Sequence, residues 1–291
     1  MSLQYHFKGI MAHNRDGGYR TQQERSSVLL LVAKQLKEGG FRQMKPSSLK
    51  TKHIRYLVER WKEERLSAGT VKNRMAHLRW LSQKIGKPQI VPATNAELGI
   101  EQRCNVTNTD KSTELKQEHL DKVSDVRIQD ALKLQAAFGL RREEALKFIP
   151  AYAMQSLNET GCIQLKASWC KGGRARLIPV RTQSQQQLLW TLNERYGTAS
   201  LIPPQMKYVQ MKDRYKNTIK RIGLGKGHGL RHRYVQMTYQ TLAGWPCRVK
   251  GGSAYQFMTP EQKEKDREVR QILSWELGHN RIEVVAQYIG S

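Results

Sequence analysis

Residues 139–146 read GLRREEAL. An apolar face at Ile128, Ala131, Leu132 and Phe138 runs into Gly139, a residue type that closes helices because it reaches left-handed backbone without strain. Arg141 then opens a second helix, with Glu144 one turn further on. Alone, that is an ordinary i,i+3 surface ion pair. Three segments downstream give it context. In residues 170–180, CKGGRARLIPV, Lys171 stands at a Gly172-Gly173 turn. The turn joins an alternating segment (Ile163, Leu165, Ala167) to a return strand at 174–180, the pattern of a β-hairpin. Residues 228–234, HGLRHRY, set His228 three before Arg231. Residues 277–291, LGHNRIEVVAQYIGS, set His279 nine before Tyr288.

The rest of the chain is mostly helical in pattern. Val28, Leu29, Val32 and Leu36 form one stripe, closed by Gly39-Gly40. Ile54, Leu57, Val58 and Trp61 form a second, and Val71, Met75, Leu78, Leu81 and Ile85 a third, behind a cap at Ser67. Periodicity fails over residues 86–111, which carry prolines and small polar residues and so suit an interdomain linker. Helices return at 185–196, 208–222 and 260–277, the last with Thr259 as cap and Pro260 in its first turn. These elements predict a mainly α protein with one small antiparallel β-hairpin. It divides into a helical domain at 1–105, a linker at 106–113 and an α+β domain at 114–291.

Charge narrows the partners. The 291 residues hold 50 Lys+Arg against 25 Asp+Glu, a net charge of +25. Residues 1–111 carry 21 basic and 9 acidic groups, and residues 112–291 carry 29 and 16. The excess therefore belongs to both domains, as expected of a surface that meets a polyanion. Lys52, Arg55, Lys72, Arg74, Arg79 and Lys84 lie between the apolar stripes of the first domain, and Arg174 and Arg176 on the hairpin; these are the candidate DNA-facing cations. No apolar run is long enough to span a bilayer, and the N-terminus has no secretory pattern. Cys104, Cys162, Cys170 and Cys247 lack close spacing, which points to a reduced, cytoplasmic protein without disulfides or structural zinc.

In order and spacing, the four motifs resemble the catalytic domain of the tyrosine recombinases, the lambda-type phage and mobile-element integrases. The helical region before them is similar to that family's SAM-like core-binding domain. The resemblance implies a site-specific DNA strand transferase that integrates or excises a phage or mobile element in the bacterial cytosol or nucleoid. It implies a 3′-phosphotyrosyl intermediate on Tyr288, with Arg141 and Arg231 as phosphate clamp. Lys171 would be proton donor to the leaving 5′-oxygen, His228 general base, and His279 a further bond to the phosphate. Glu144 would orient a neighbouring arginine or histidine. No cofactor or metal is implied. The partners implied are double-stranded DNA at attachment-type sites, a homotetramer on it, and an accessory DNA-bending protein.

The chemistry of these residue types fits. Covalent catalysis by a tyrosine keeps the bond energy in an aryl phosphodiester and so needs no ATP. Arginine offers a planar fork of charge-assisted donors that stays protonated. Several alternatives stay open. Lys166, Arg174 and Arg176 rival Lys171 as the hairpin cation. Tyr234, Tyr239 and Tyr255 are other tyrosines, but only Tyr288 has the offset from His279. His228 and His232 stand at i,i+4 as zinc ligands can, yet lack the glutamate of an HExxH pattern and have arginines alongside. The glycine-rich residues 223–229 do not match a phosphate-binding loop and read as the lead-in to His228. A type IB topoisomerase and a catalytically degenerate DNA-binding regulator are the rival functions. Two departures from the family are visible. Arg231 and His279 are 48 residues apart, roughly twice the expected interval, with the extra segment at about 241–264. Only three residues follow Tyr288, so either another segment, such as the insertion, is expected to couple the subunits, or the synaptic assembly is looser.

Overall fold

A computed structural model describes residues 2–106, 108–225 and 227–291. The chain folds as two compact units, residues 1–104 and 105–291. The first is built on helices α1 (Leu3–His13), α2 (Tyr19–Glu38), α3 (Thr51–Glu63) and α4 (Ala68–Lys84). The three apolar stripes become its core. Leu29, Val32, Leu36, Leu57, Val58, Trp61, Met75, Leu78 and Leu81 are all buried, each such side chain contributing about 1.5–3 kcal/mol. Ser67 caps α4, its Oγ accepting from the Thr70 amide at 3.3 Å. Helix α1 is an addition to the sequence reading, packing Leu3 and Phe7 inward. Residues 86–100 hold two short 3₁₀ turns, Pro88–Ile90 and Ala96–Leu98, and Ile90, Val91, Leu98 and Ile100 from this stretch fill the same core.

The second unit surrounds its own core with α5 (Gln117–Asp121), α6 (Val126–Phe138), α7 (Arg142–Leu146) and α8 (Pro150–Thr160). A two-stranded antiparallel sheet follows, β1 (Cys162–Leu165) with β2 (Arg176–Pro179), Ile163 opposite Ile178 and Leu165 opposite Arg176. Then come α9 (Gln183–Tyr196), α10 (Tyr208–Arg221), α11 (His228–Ala243), α12 (Pro260–Glu276) and the short α13 (Ala286–Ile289). The hairpin is shorter than its alternation predicts. Ala167 enters a 3₁₀ turn that buries Trp169, and the strands rejoin only at Arg176. Thr259 and Pro260 start α12 as expected. The extra segment is the end of α11 followed by two 3₁₀ turns, Arg248–Lys250 and Tyr255–Phe257. No helix among the described residues is long and apolar enough to cross a membrane.

Candidate active site

Two glycine turns set the frame. Gly139 ends α6 at φ +60°, and a Cβ there would lie 2.4 Å from the Tyr234 ring, so both the backbone hand and the space demand glycine. Arg141 then caps α7, and its main-chain NH donates to Glu144 Oε2 at 2.7 Å. Gly278 ends α12 at φ +67°, with Arg176 Cδ 3.1 Å from where a Cβ would stand. That turn presents His279, whose amide is held by Ser274 O at 2.8 Å.

Glu144 is wholly buried and is the anion of the site. Arg141 Nη1 donates to Oε1 at 2.9 Å, and Arg176 grips both oxygens through Nη1 and Nη2 at 3.0 and 2.7 Å. Burial pushes the carboxyl pKa up, but the Arg176 bond and the charges of Arg176, Arg231 and Arg141 outweigh it and hold it at about 2. Arg231, on the first turn of α11, is also buried. Nη1 donates to Gly139 O at 2.5 Å, Nη2 to Leu277 O at 2.7 Å, and Nε to Tyr288 Oη at 3.3 Å. One guanidinium thus joins the α6–α7 corner, the end of α12 and α13. Desolvation lowers its pKa to about 10, which leaves it charged at neutral pH.

Tyr288 is the meeting point. It is 6% exposed, and its Oη lies 3.5 Å from His279 Nε2. The His232 ring centroid is 4.7 Å from that of Tyr288 and the His228 centroid 5.9 Å, with His228 edge-on to His232 at 5.3 Å. Desolvation first, and the Arg231 charge next, push His228 and His279 each down to about 4. Both imidazoles are therefore neutral at pH 7, with a lone pair available. His232, weighed from sequence only as a metal partner, packs against the tyrosine instead.

The structure brings together Arg141, Glu144, His228, Arg231, His279 and Tyr288. Lys171 is not in that cluster. It is exposed in the turn between the strands and makes no hydrogen bond or ion pair among the described residues. Of its rivals, Lys166 rests 4.2 Å over the Tyr152 ring and Arg174 is exposed. Arg176, expected on a DNA-facing surface, is instead buried, donating through Nε to Glu276 O at 2.6 Å besides clasping Glu144. The period of two in β2 places it on the inner face with Ile178, a signal that could have identified it. A second buried pairing also escaped the sequence reading. Arg181 and Tyr234 both bond Glu276, Tyr234 Oη at 3.0 Å, and brace the end of α12. Lys226, in the glycine-rich lead-in to His228, lies outside the described residues; Gly227 starts α11 at φ +69°. In the first unit, Lys52, Arg55 and Lys72 are exposed and, among the described residues, unpaired. The others are engaged: Arg74 lies 5.1 Å over the Trp61 ring, Arg79 donates to Asn95 Oδ1 at 2.7 Å, and Lys84 pairs with Asp16 at 3.1 Å.

Comparison with known proteins agrees with this architecture. The phage integrase N-terminal domain model matches residues 1–91, and the integrase model matches residues 100–237. The chain belongs to the integrase family of tyrosine recombinases. Among solved structures, the Tn1549 transposon integrase in complex with transposon right end DNA aligns over 99% of this chain and 94% of its own, with a TM-score of 0.59 at 14% identity. The lambda integrase tetramer bound to a Holliday junction aligns over 99% of this chain and 77% of its own, with a TM-score of 0.60 at 14% identity. At that identity the likeness is one of fold. No curated protein sequence matches the chain. The integrase match ends before His279 and Tyr288, so their place in the site rests on the geometry above.

Proposed function

We propose that this protein is a site-specific DNA recombinase of a phage or other mobile element, and that Tyr288 is its nucleophile. The observation that carries the reading is the convergence on one phenol of a buried arginine, Arg231, and the imidazoles of His228 and His279, beside the partly open Arg141. Tyr288 Oη attacks a backbone phosphorus, the bond to the 5′-oxygen breaks, and a 3′-phosphotyrosyl link and a free 5′-hydroxyl result. The phenolic proton passes to a neutral imidazole. Within the present geometry that is His279, whose Nε2 touches Oη, while His228 lies one ring further out. The leaving oxygen takes a proton from Lys171, carried in on the exposed hairpin turn. Attack by a 5′-hydroxyl from a partner strand reverses each step.

Charge placement supports the assignment of the clamp. Two of the three donor nitrogens of Arg231 are committed to main-chain oxygens, so it is a fixed positive wall rather than a mobile hand. Arg141, about a quarter exposed and anchored from behind by Glu144, has donors left for non-bridging oxygens. Such preorganised charge is the usual main source of phosphoryl-transfer rate. Double-stranded attachment-type DNA and a homotetramer on it are the partners this reading calls for, and an accessory DNA-bending protein is compatible with it. The test is trapping on a nicked duplex carrying a site recovered by selection for binding, resolved on a denaturing gel. Wild type should form a covalent adduct and Tyr288→Phe none. An adduct that persists in Tyr288→Phe would move the nucleophile elsewhere. No adduct from wild type, on DNA it binds, would favour the regulator reading. Exchange between two duplexes, against relaxation of supercoils alone, separates a recombinase from a type IB topoisomerase.

A further inference from the structure

Residues 108–113 follow closely on the first compact unit in sequence, and they lie across the segment that carries Tyr288. Asn108, at φ +48°, accepts the Ser291 amide on its Oδ1 at 2.9 Å, and that oxygen would stand 2.8 Å from a Cβ at Gly290. Asp110 accepts on both carboxylate oxygens: from Ser112 N at 2.8 Å, Ser112 Oγ at 3.0 Å, Lys250 Nζ at 2.7 Å and Gln236 Nε2 at 2.9 Å. Gln236 is 2% exposed, and the same Nε2 donates to the main-chain oxygen of Tyr288 at 3.1 Å. Both of its neighbours are acceptors, so only the amide's NH₂ end can face them. Its Oε1 is buried without a partner, so these two bonds alone fix its orientation. At the other end of the strap, Thr113 N donates to Gly229 O at 3.0 Å, and a Cβ at Gly229 would come within 2.1 Å of Thr113 Oγ1. Gly229 is the residue after His228.

We propose that Asp110 is a positioning residue for Tyr288, acting through Gln236, so that the opening residues of the second unit hold the nucleophile's backbone in register with Arg231 and His279. The proposal rests on the reading of Tyr288 as nucleophile. It also gives a use to the extra segment 241–264, which supplies Lys250 to orient the carboxylate. Loss of the carboxylate leaves the Gln236 amide with one acceptor instead of two. The Tyr288 carbonyl then loses its fixed donor, and a displacement well under an ångström at the phenol slows attack.

The test uses the full chain with 3-fluorotyrosine placed at position 288. Its ¹⁹F resonance and the single-turnover rate of adduct formation at saturating DNA are compared for wild type, Asp110→Ala and Asp110→Asn. Asp110→Ala should shift the resonance and slow adduct formation by about 10-fold, with DNA affinity within about twofold, as expected for misplacement of a reacting group. Asp110→Asn retains an oxygen acceptor for Gln236 and should keep both readouts near wild type. A part that merely held the fold together would instead lower the thermal midpoint and the reacting fraction, leaving the rate constant of the folded enzyme alone. An unshifted resonance in Asp110→Ala, or a shifted one with a wild-type rate, overturns the proposal. Tyr288→Phe on the same gel separates the two ideas: an adduct there refutes the nucleophile assignment, while the resonance still reports whether Asp110 places residue 288.

Discussion

Replacing Glu144 by glutamine tests the centre of the site. The carboxylate is fully buried and receives three guanidinium bonds of 2.7–3.0 Å together with the Arg141 main-chain NH. Glutamine keeps the shape but removes the charge, and its NH₂ must point at a guanidinium. Removing one partner of a buried ion pair costs about 3–5 kcal/mol, because the remaining charges are left uncompensated. The unit that holds Glu144 spans residues 105–291, a size at which each kcal/mol moves the midpoint by about 2–4 °C. Scanning calorimetry of the full chain should therefore show this unit's transition lowered by roughly 6–20 °C. Adding Arg176→Gln should return part of the loss, since it removes the charge that Glu144 chiefly neutralised. The pH dependence has a definite sign. The folded carboxyl is held at about 2 against an ordinary value of 4.5. Its contribution is thus complete above pH 4.5 and is lost as pH falls through about 2, so the gap between wild type and Glu144→Gln narrows over that window. A midpoint shift under about 3 °C, or an Arg176→Gln change that simply adds to the loss, would refute the argument that three arginines depend on this one anion.

Four further outcomes follow from the same geometry. His228 and His279 sit at about 4 in the folded chain against 6.5, so the folded state binds fewer protons between those values. Their share of stability is complete above pH 6.5 and is lost as pH falls toward 4, and the acid limb of the cleavage rate with free DNA should lie well below 6.5; a break at 6.5 in a pH–rate profile would count against imidazoles kept neutral by burial and by the Arg231 charge. Substituting Lys52, Arg55 and Lys72 together by glutamine should weaken DNA binding across sequences and reduce the slope of log affinity against log salt by about 0.9 for each phosphate no longer neutralised. Arg79→Gln, which gives up the bond to Asn95, should lower the melting point of the first unit while leaving that slope unchanged. Gly278→Ala forces left-handed backbone on alanine and a Cβ 3.1 Å from Arg176; a stability loss of about 1–3 kcal/mol with slower adduct formation is expected in denaturant melts and trapping assays.

What could be read from the sequence was whatever has a short period or a local cap. The stripes of α2, α3 and α4, the Ser67 and Thr259 caps, and the Gly139 stop each depend on residues within a turn or two, and the structure realises them there. Residues 86–100 show where that reasoning ends. Ile90, Val91, Leu98 and Ile100 have no shared period, because non-repetitive backbone aims each one separately, yet all four are core residues. The site divides in the same way. Arg141 with Glu144, and His228 with Arg231, are neighbours along a helix. Arg176 is 32 residues from the carboxylate it grips, and Asp110 is 126 from Gln236. Nothing local distinguishes Asp110 from a solvated surface charge. Arg176 did carry one weak sign, alternation with Ile178; Asp110 carried none. Buried charge is costly unless its partner is already in place. A sequence therefore identifies such a group only once the fold has supplied that partner, and this is why the arginines behind the site were harder to read than the tyrosine in front of it.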